Sequence, residues 1–352
     1  MTRGPLGAAP LPGPARHRPG ECMAAEMAEI PSSLRRLLAA RSDVAARLRH
    51  APRPPAGVVL VGRGSSEHAA LYGRFLLEIA TGRPASLFPP SLAGRAGAYG
   101  GYVAIAVSQS GETADVRAAL EALGRAGAFT VAVTAGPASP LAAVADAVVD
   151  VRCGRERAVP ATKTFVASLA ALALIAEELG AAPWAPEGWG WAIGAVEDVL
   201  ADTEPLSRAA PRIGPDDAVA CVGRGLLEPI AREAALKLQE AALIQADGHS
   251  SISFHHGPIA TAGPGRPLVG FAAPGPEGDD TRRLLRRVRL WGSQTVLVDE
   301  SATADLPLPP RVPAGLLPLF AAVRAEQLAL AVARGRGLDP DEPPRLTKVT
   351  RP

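Results

Sequence analysis

The sequence predicts an α/β protein built as two related halves, each a parallel sheet flanked by helices. Three observations lead there. Apolar runs rich in β-branched residues end repeatedly in small-residue turns and pass into helical apolar–polar periodicity, the rhythm of buried parallel strands alternating with amphipathic helices. The stretch Ala218-Val219-Ala220-Cys221-Val222-Gly223-Arg224-Gly225 repeats the pattern of residues 58–64, an apolar strand entering a Gly-Arg-Gly turn. A chain of 352 residues at 47% hydrophobic composition can also bury two cores of ordinary domain size.

In order, residues 1–22 are rich in Pro, Gly and Ala, without an apolar run of secretory length, and read as a flexible leader or an early start ahead of Met23 or Met27. Residues 23–50 form an N-terminal helical segment: Leu34, Leu37, Leu38, Val44 and Leu48 line one face of a helix from Ser32 to about Leu48. The first domain is assigned to residues 51–195. Pro52, Pro54 and Pro55 break the chain ahead of the strand Val58–Val61, which leads through Gly62-Arg63-Gly64-Ser65-Ser66 into a helix from Glu67 to Ile79. His68 on that helix reads as a surface or packing residue. Further strands are expected at Val103–Val107, Phe129–Thr134 and Ala147–Val151. Pro160-Ala161-Thr162-Lys163-Thr164 then opens a long Ala/Leu helix, with Lys163 either reaching a ligand or countering a carboxylate. Trp184, Trp189 and Trp191 fall in a Pro/Gly-rich stretch that reads as a connection or packing surface, more than as a sugar platform. The second domain, residues 196–338, continues with strands at Ala218–Val222, Pro267–Phe271 and Thr295–Val298, a basic helix around Arg282–Arg289 and a helix at Leu316–Val332. Residues 339–352 form a tail.

Composition narrows the function. The 37 Lys and Arg nearly balance 35 Asp and Glu, and only 4% of residues are aromatic, so neither phosphate-backbone binding nor base stacking is indicated. No nucleic-acid or membrane partner is therefore expected. Cys22, Cys153 and Cys221 are too few and too irregular for a disulfide framework or a zinc site, which fits a reduced cytoplasmic chain with structural thiols.

Two constellations carry chemistry. Ser108-Gln109-Ser110-Gly111-Glu112-Thr113 follows a core strand and opens a helix, where unpaired amides and hydroxyls favour a phosphate or another anion. The Gly62 turn is a second such site but no dinucleotide fingerprint, because Glu67 stands where the last glycine belongs. In the second half, Glu233, Lys237 and Glu240 are spaced by four and three, on one side of a helix, as ion pairs or as an acid–base group. His249, His255 and His256 follow, the last held by a Gly257-Pro258 turn, and an imidazole so placed can exchange protons near neutral pH. No carboxylate or thiol completes a metal set around them.

Taken together, Ser108–Thr113, Glu233-x-x-x-Lys237-x-x-Glu240, His256-Gly257-Pro258 and Leu346-x-Lys348 make residues 23–352 resemble the sugar-isomerase (SIS) family. The likeness is to the double-domain isomerase portion of glutamine:fructose-6-phosphate aminotransferases and to stand-alone members that include glucosamine-6-phosphate deaminases. It implies two SIS domains, each a flavodoxin-like three-layer sandwich. It also implies that Ser66, Ser108, Gln109, Ser110 and Thr113 hold a sugar phosphate, with Gly64, Ala161 and Glu233 in the same binding set. Glu240 is the implied C1–C2 proton carrier, His256 the ring-opening group supplied across a homodimer, Lys237 its charged neighbour and Lys348 the carbonyl-directed lysine of the tail. The substrate is then a phosphorylated amino sugar or related phosphosugar, with no metal or cofactor. The expected reaction is glucosamine 6-phosphate to fructose 6-phosphate and ammonia. Another phosphosugar isomerase or fructosamine-phosphate deglycase, and a noncatalytic sugar-phosphate sensor, stay open. Two departures from the family pattern matter. No glutaminase region with a nucleophilic Cys is present, so glutamine-dependent synthesis is not expected, and Ser253 replaces a common Glu.

Overall fold

The computed structural model describes residues 18–184, 188–214 and 218–348. Three helices come first, α1 (Glu21–Ala28), α2 (Ile30–Ala39) and α3 (Arg41–Arg47). The first sheet unit follows as β1 (Val58–Val61), α4 (Ser65–Thr81), β2 (Ala85–Leu87), β3 (Val103–Val107), α5 (Ala114–Arg125), β4 (Phe129–Thr134), β5 (Ala147–Asp150) and α6 (Lys163–Leu179). Helices α7 (Gly188–Ala201) and α8 (Glu204–Ala209) lead to the second unit. It comprises β6 (Ala218–Gly223), α9 (Glu228–Ala242), β7 (Gln245–Ser250), α10 (Ser251–His255), β8 (Leu268–Phe271), α11 (Pro276–Leu290), β9 (Thr295–Asp299), β10 (Leu306–Pro307) and α12 (Leu317–Gly335).

Both sheets are five-stranded and parallel throughout, in the orders β2-β1-β3-β4-β5 and β10-β9-β8-β6-β7. Numbered within each unit, both have the doubly wound order 2-1-3-4-5 of the flavodoxin-like sandwich. The strands are apolar on both faces because both are covered. Val58, Leu60, Val103 and Ile105 point into the large core between the halves, while Val59, Val61, Ala104 and Ala106 face α5. Helix α6 is buried on nearly every side, which its Ala/Leu composition allows, and α4 packs on both α6 and α9 while α12 lies along α9. Tyr72 of α4 ties the halves again, donating its hydroxyl to the Gly315 carbonyl at 2.7 Å.

Several expectations shift. The helix predicted across 32–48 breaks at Ala40 into α2 and α3. Of the expected leader, residues 1–17 lie outside the described residues, but Gly20–Cys22 are fixed and Cys22 is helical. The cause is the tail. Asp339 accepts the Gly20 N–H at 3.0 Å, and Asp341 accepts those of Cys22 and Met23 at 2.8 and 2.7 Å, satisfying the free amides at the start of α1. The tryptophans are packing residues: Trp184 and Trp189 both donate to Glu177 Oε1, and Trp191 stacks on Phe320. No helix among the described residues is long and apolar enough to cross a membrane.

Candidate active site

In a doubly wound sheet the ligand crevice opens at the carboxyl ends of the strands, where successive connections leave in opposite directions. In the first sheet that point lies between β1 and β3. The turns after these two strands are the Gly64-Ser65-Ser66 and Ser108–Thr113 stretches, so two sites separate in the sequence become neighbours. Ser108 Oγ accepts the Gly111 N–H at 3.2 Å and lies 3.3 Å from Thr113 Oγ1, while Ser110 Oγ accepts the Glu112 N–H at 3.2 Å. These bonds brace the turn ahead of α5. Gly111 sits at φ +65°, and a Cβ there would stand 1.9 Å from Ser139 Oγ, so only glycine fits. The opening turn of α5 adds a positive dipole end, whereas the amides of Ser66, Glu67 and His68 at the start of α4 are taken up by the Arg63 and Gly64 carbonyls. Arg63 crosses the mouth to pair with Asp115 in the first turn of α5, at 2.7 Å. The corresponding point of the second sheet is different: Arg224 is already paired with Asp280, and the Glu277 carboxylate stands beside Gly225. Both points thus hold an Arg–Asp pair, and what sets the second apart is the Glu277 carboxylate against its turn, which disfavours an anion there.

The Glu233–Lys237–Glu240 trio of α9 forms one connected group. Lys237 is fully buried, with its ammonium 3.3 Å from Glu233 Oε1, ion-paired to Glu240 Oε2 and donating to Ser65 Oγ at 3.2 Å. Burial alone would pull this ammonium's pKa down, but Glu240 and Glu233 outweigh it and raise the value. Glu233 is equally buried and lies 2.8 Å from His68 Nδ1 through its other oxygen. Burial pushes the Glu233 carboxyl up, yet Lys237 and His68, with a hydrogen bond from Ser65, hold it below the ordinary carboxylate value. Glu240 is the accessible member, its side chain 20% exposed against 1% for Glu233. A reachable carboxylate backed by a buried ammonium suits proton transfer at carbon with charge stabilisation beside it.

Lys348 belongs to a second arm of the same cluster. Its ammonium pairs with Glu156 at 2.8 Å, and Glu156 also accepts the Thr162 and Thr164 amides at 2.8 and 3.2 Å. Burial raises the Glu156 carboxyl, but Lys348 and these amides overcome it and hold the group low. Glu156 is also one of the charges that raise Lys237, so tail and α9 share one electrostatic cluster.

The remaining candidates divide. Gln109 and Ser110 are half-buried on the crevice turn, and Ser66 is half-buried in the first turn of α4. Ala161 is half-buried immediately before Thr162, while Lys163 counters a carboxylate, pairing with Glu29 at 2.7 Å. His256 is exposed at the end of α10, and no hydrogen bond or ion pair between its ring and the α9 trio is found among the described residues. His68, read as a surface or packing residue, is part-buried one helical turn after Ser65 and its ring bonds the buried Glu233 of the same cluster. Ser65 and Glu156 are the residues of this cluster that sequence reasoning missed. Only the Ser65/His68 spacing carried a signal.

The SIS-domain family model matches residues 55–178 and 216–307, more than half of the chain. A glutamine–fructose-6-phosphate aminotransferase of Gloeobacter violaceus is 34% identical over 317 residues, covering 83% of this chain and 51% of its own length. The chain thus spans about half the length of the curated relatives it matches. A crystal structure from Silicibacter pomeroyi DSS-3, provisionally named a phosphosugar isomerase, aligns at 31% identity with a TM-score of 0.78 over 91% of this chain and 99% of that one. The glucosamine-6-phosphate deaminase of Thermotoga maritima shares the fold at 22% identity, with a TM-score of 0.74 over 92% and 98% of the two chains. With its two doubly wound units and the extent of the family match, the chain belongs to the SIS-domain family.

Proposed function

We propose that this chain is an amino-sugar-phosphate isomerase and deaminase that converts glucosamine 6-phosphate to fructose 6-phosphate and ammonia. One observation carries the reading: Ser65, in the first turn of α4 beside the anion crevice, hydrogen-bonds the buried Lys237 that backs the accessible Glu240. An anion site and a carbon-acid base therefore share one helix end. The phosphate of the sugar binds at the Ser66 and Ser108–Thr113 turns and orients the far end of the molecule. In the open-chain aldehyde, Glu240 takes the C2 proton to give an enolamine and returns it to C1. The product is a C2 imine, which water hydrolyses to the ketose and ammonia. Lys237 stabilises the negative charge that develops on oxygen. Lys348 is the carbonyl-directed lysine, delivered by the tail. His256, exposed here, opens the sugar ring in the site of a second copy, so the working form is a homodimer.

The aminotransferase and deaminase names of the similar proteins support the substrate class. The test is to incubate purified protein with glucosamine 6-phosphate and measure ammonia and fructose 6-phosphate together. Equal amounts are expected, falling about 10²–10⁴-fold in Glu240→Gln, the range a general base contributes. Neither product, with the phosphosugar still bound, would overturn the deaminase and direct the search to other phosphosugars and sugar–amine adducts.

A further inference from the structure

Glu326 of α12 is fully buried, and neither of its carboxyl oxygens has a hydrogen-bond partner among the described residues. An unpartnered carboxyl in a protein interior is costly, and an ionised one far more so. The charges that act on it are Glu156 from the segment ahead of α6, and Glu233 and Lys237 from α9, the helix on which α12 packs. On its own helix, Arg324 is turned away to Asp202 and the Pro307 carbonyl. Lys237 is already shared by Glu233 and Glu240, and Glu156 is paired with Lys348. A carboxylate at Glu326 would be a further negative charge with no cation of its own. The second orphan is Glu233 Oε1, which is buried without a hydrogen bond although Lys237 lies 3.3 Å away. Packed helices α9 and α12 thus carry a buried acid with no hydrogen bond and a buried carboxylate oxygen held by an ion pair alone.

We propose that Glu326 is a positioning residue of the acid–base cluster, a carboxylic acid that keeps its proton at neutral pH and donates it as a hydrogen bond to Glu233 Oε1. Burial first, then the like charges of Glu156 and Glu233, push the Glu326 carboxyl well above the ordinary value against the pull of Lys237. With part of the Glu233 charge taken up by Glu326, Lys237 is left to Glu240. Loss of the Glu326 proton sets three carboxylates around one ammonium and draws Lys237 away from the base. The catalytic consequence rests on Glu240 being the base; the neutral acid and its bond to Glu233 do not.

Infrared difference spectra of the full chain separate the two. A protonated carboxyl has a carbonyl stretch distinct from that of a carboxylate, and the Glu326 band is expected to persist between about pH 6 and 8, where ordinary glutamates are ionised. It disappears in Glu326→Gln and in Glu326→Leu, the second of which replaces a neutral buried acid by an apolar side chain and should fold. The same band moves in Glu233→Gln, because its acceptor changes. In turnover assays Glu326→Leu lowers kcat about tenfold or more with KM little changed, the size expected for losing a hydrogen bond to a charged group. Glu326→Gln, which can donate but not ionise, restores part of that loss and moves the alkaline limb of kcat upward. A spectrum with no band lost in the Glu326 variants, or a lost band that Glu233→Gln leaves in place, overturns the proposal whatever the substrate proves to be. Wild-type kcat and pH profile in Glu326→Leu overturn the catalytic part.

Discussion

Lys237 has no exposed surface, yet its ammonium is surrounded by Glu233, Glu240 and the Ser65 hydroxyl. Removing one partner of a buried ion pair costs more than removing both, because the survivor stays charged and uncompensated. Lys237→Met is therefore expected to destabilise the protein by about 3–5 kcal/mol in urea denaturation, and Glu233→Leu in the same chain should recover much of that loss. Equal and additive effects of the two substitutions would contradict the coupling. Arg63 makes a different prediction. It is exposed and, among the described residues, ion-paired only across the crevice mouth to Asp115, so an incoming phosphate can take the guanidinium with little loss. Arg63→Ala is expected to raise KM for a phosphosugar roughly three- to tenfold with kcat nearly unchanged, a partly solvated charge contact being worth about 1 kcal/mol.

At the scale of elements, the tail and α1 depend on each other. Asp341 caps the first amides of α1, and its backbone carbonyl accepts the Val159 N–H at 3.2 Å, which sets the tail against the Glu156 segment where Lys348 pairs. Asp341→Ala is expected to cost about 1–2 kcal/mol of stability, as loss of a helix cap does, and to lower kcat by loosening Lys348. A normal kcat with the stability loss would detach the tail from catalysis. This coupling was illegible in the sequence, since capping partners more than 300 residues apart leave no local pattern. Strand β7 was missed for another reason: Gln245-Ala246-Asp247-Gly248-His249-Ser250 is polar because it is a sheet edge paired only to β6. Strands β2 and β10, also edges, are too short for alternation to register. The central strands were legible because burial on both faces leaves long apolar runs.

For the whole molecule, two units of one topology differ in what they place at the switch point. Each presents an arginine paired with an aspartate, but the first adds the hydroxyls of the Ser108–Thr113 turn, whereas the second sets the Glu277 carboxylate beside Gly225. The crevice turn could be read from sequence because its six residues are contiguous, and the α9 trio because helical spacing aligns it. The joining of these parts through Ser65, His68 and Glu156 could not, because it depends on how α4, α6 and α9 pack between the sheets. That packing also sets the acid stability. Glu156 and Glu233 titrate below the ordinary value of 4.5 in the folded chain, so their stabilisation is present above it and is lost as pH falls through their folded values. Urea midpoints should therefore drop steeply below about pH 4.5, less steeply in Glu233→Gln; parallel curves would contradict this. The most direct test of the catalytic assignment follows hydrogen at carbon: glucosamine 6-phosphate incubated with the enzyme in heavy water, its C1 and C2 positions monitored by NMR. Deuterium should enter with wild-type protein and not with Glu240→Gln, which still binds the phosphosugar. Exchange at the wild-type rate in Glu240→Gln would show that Glu240 is not the base.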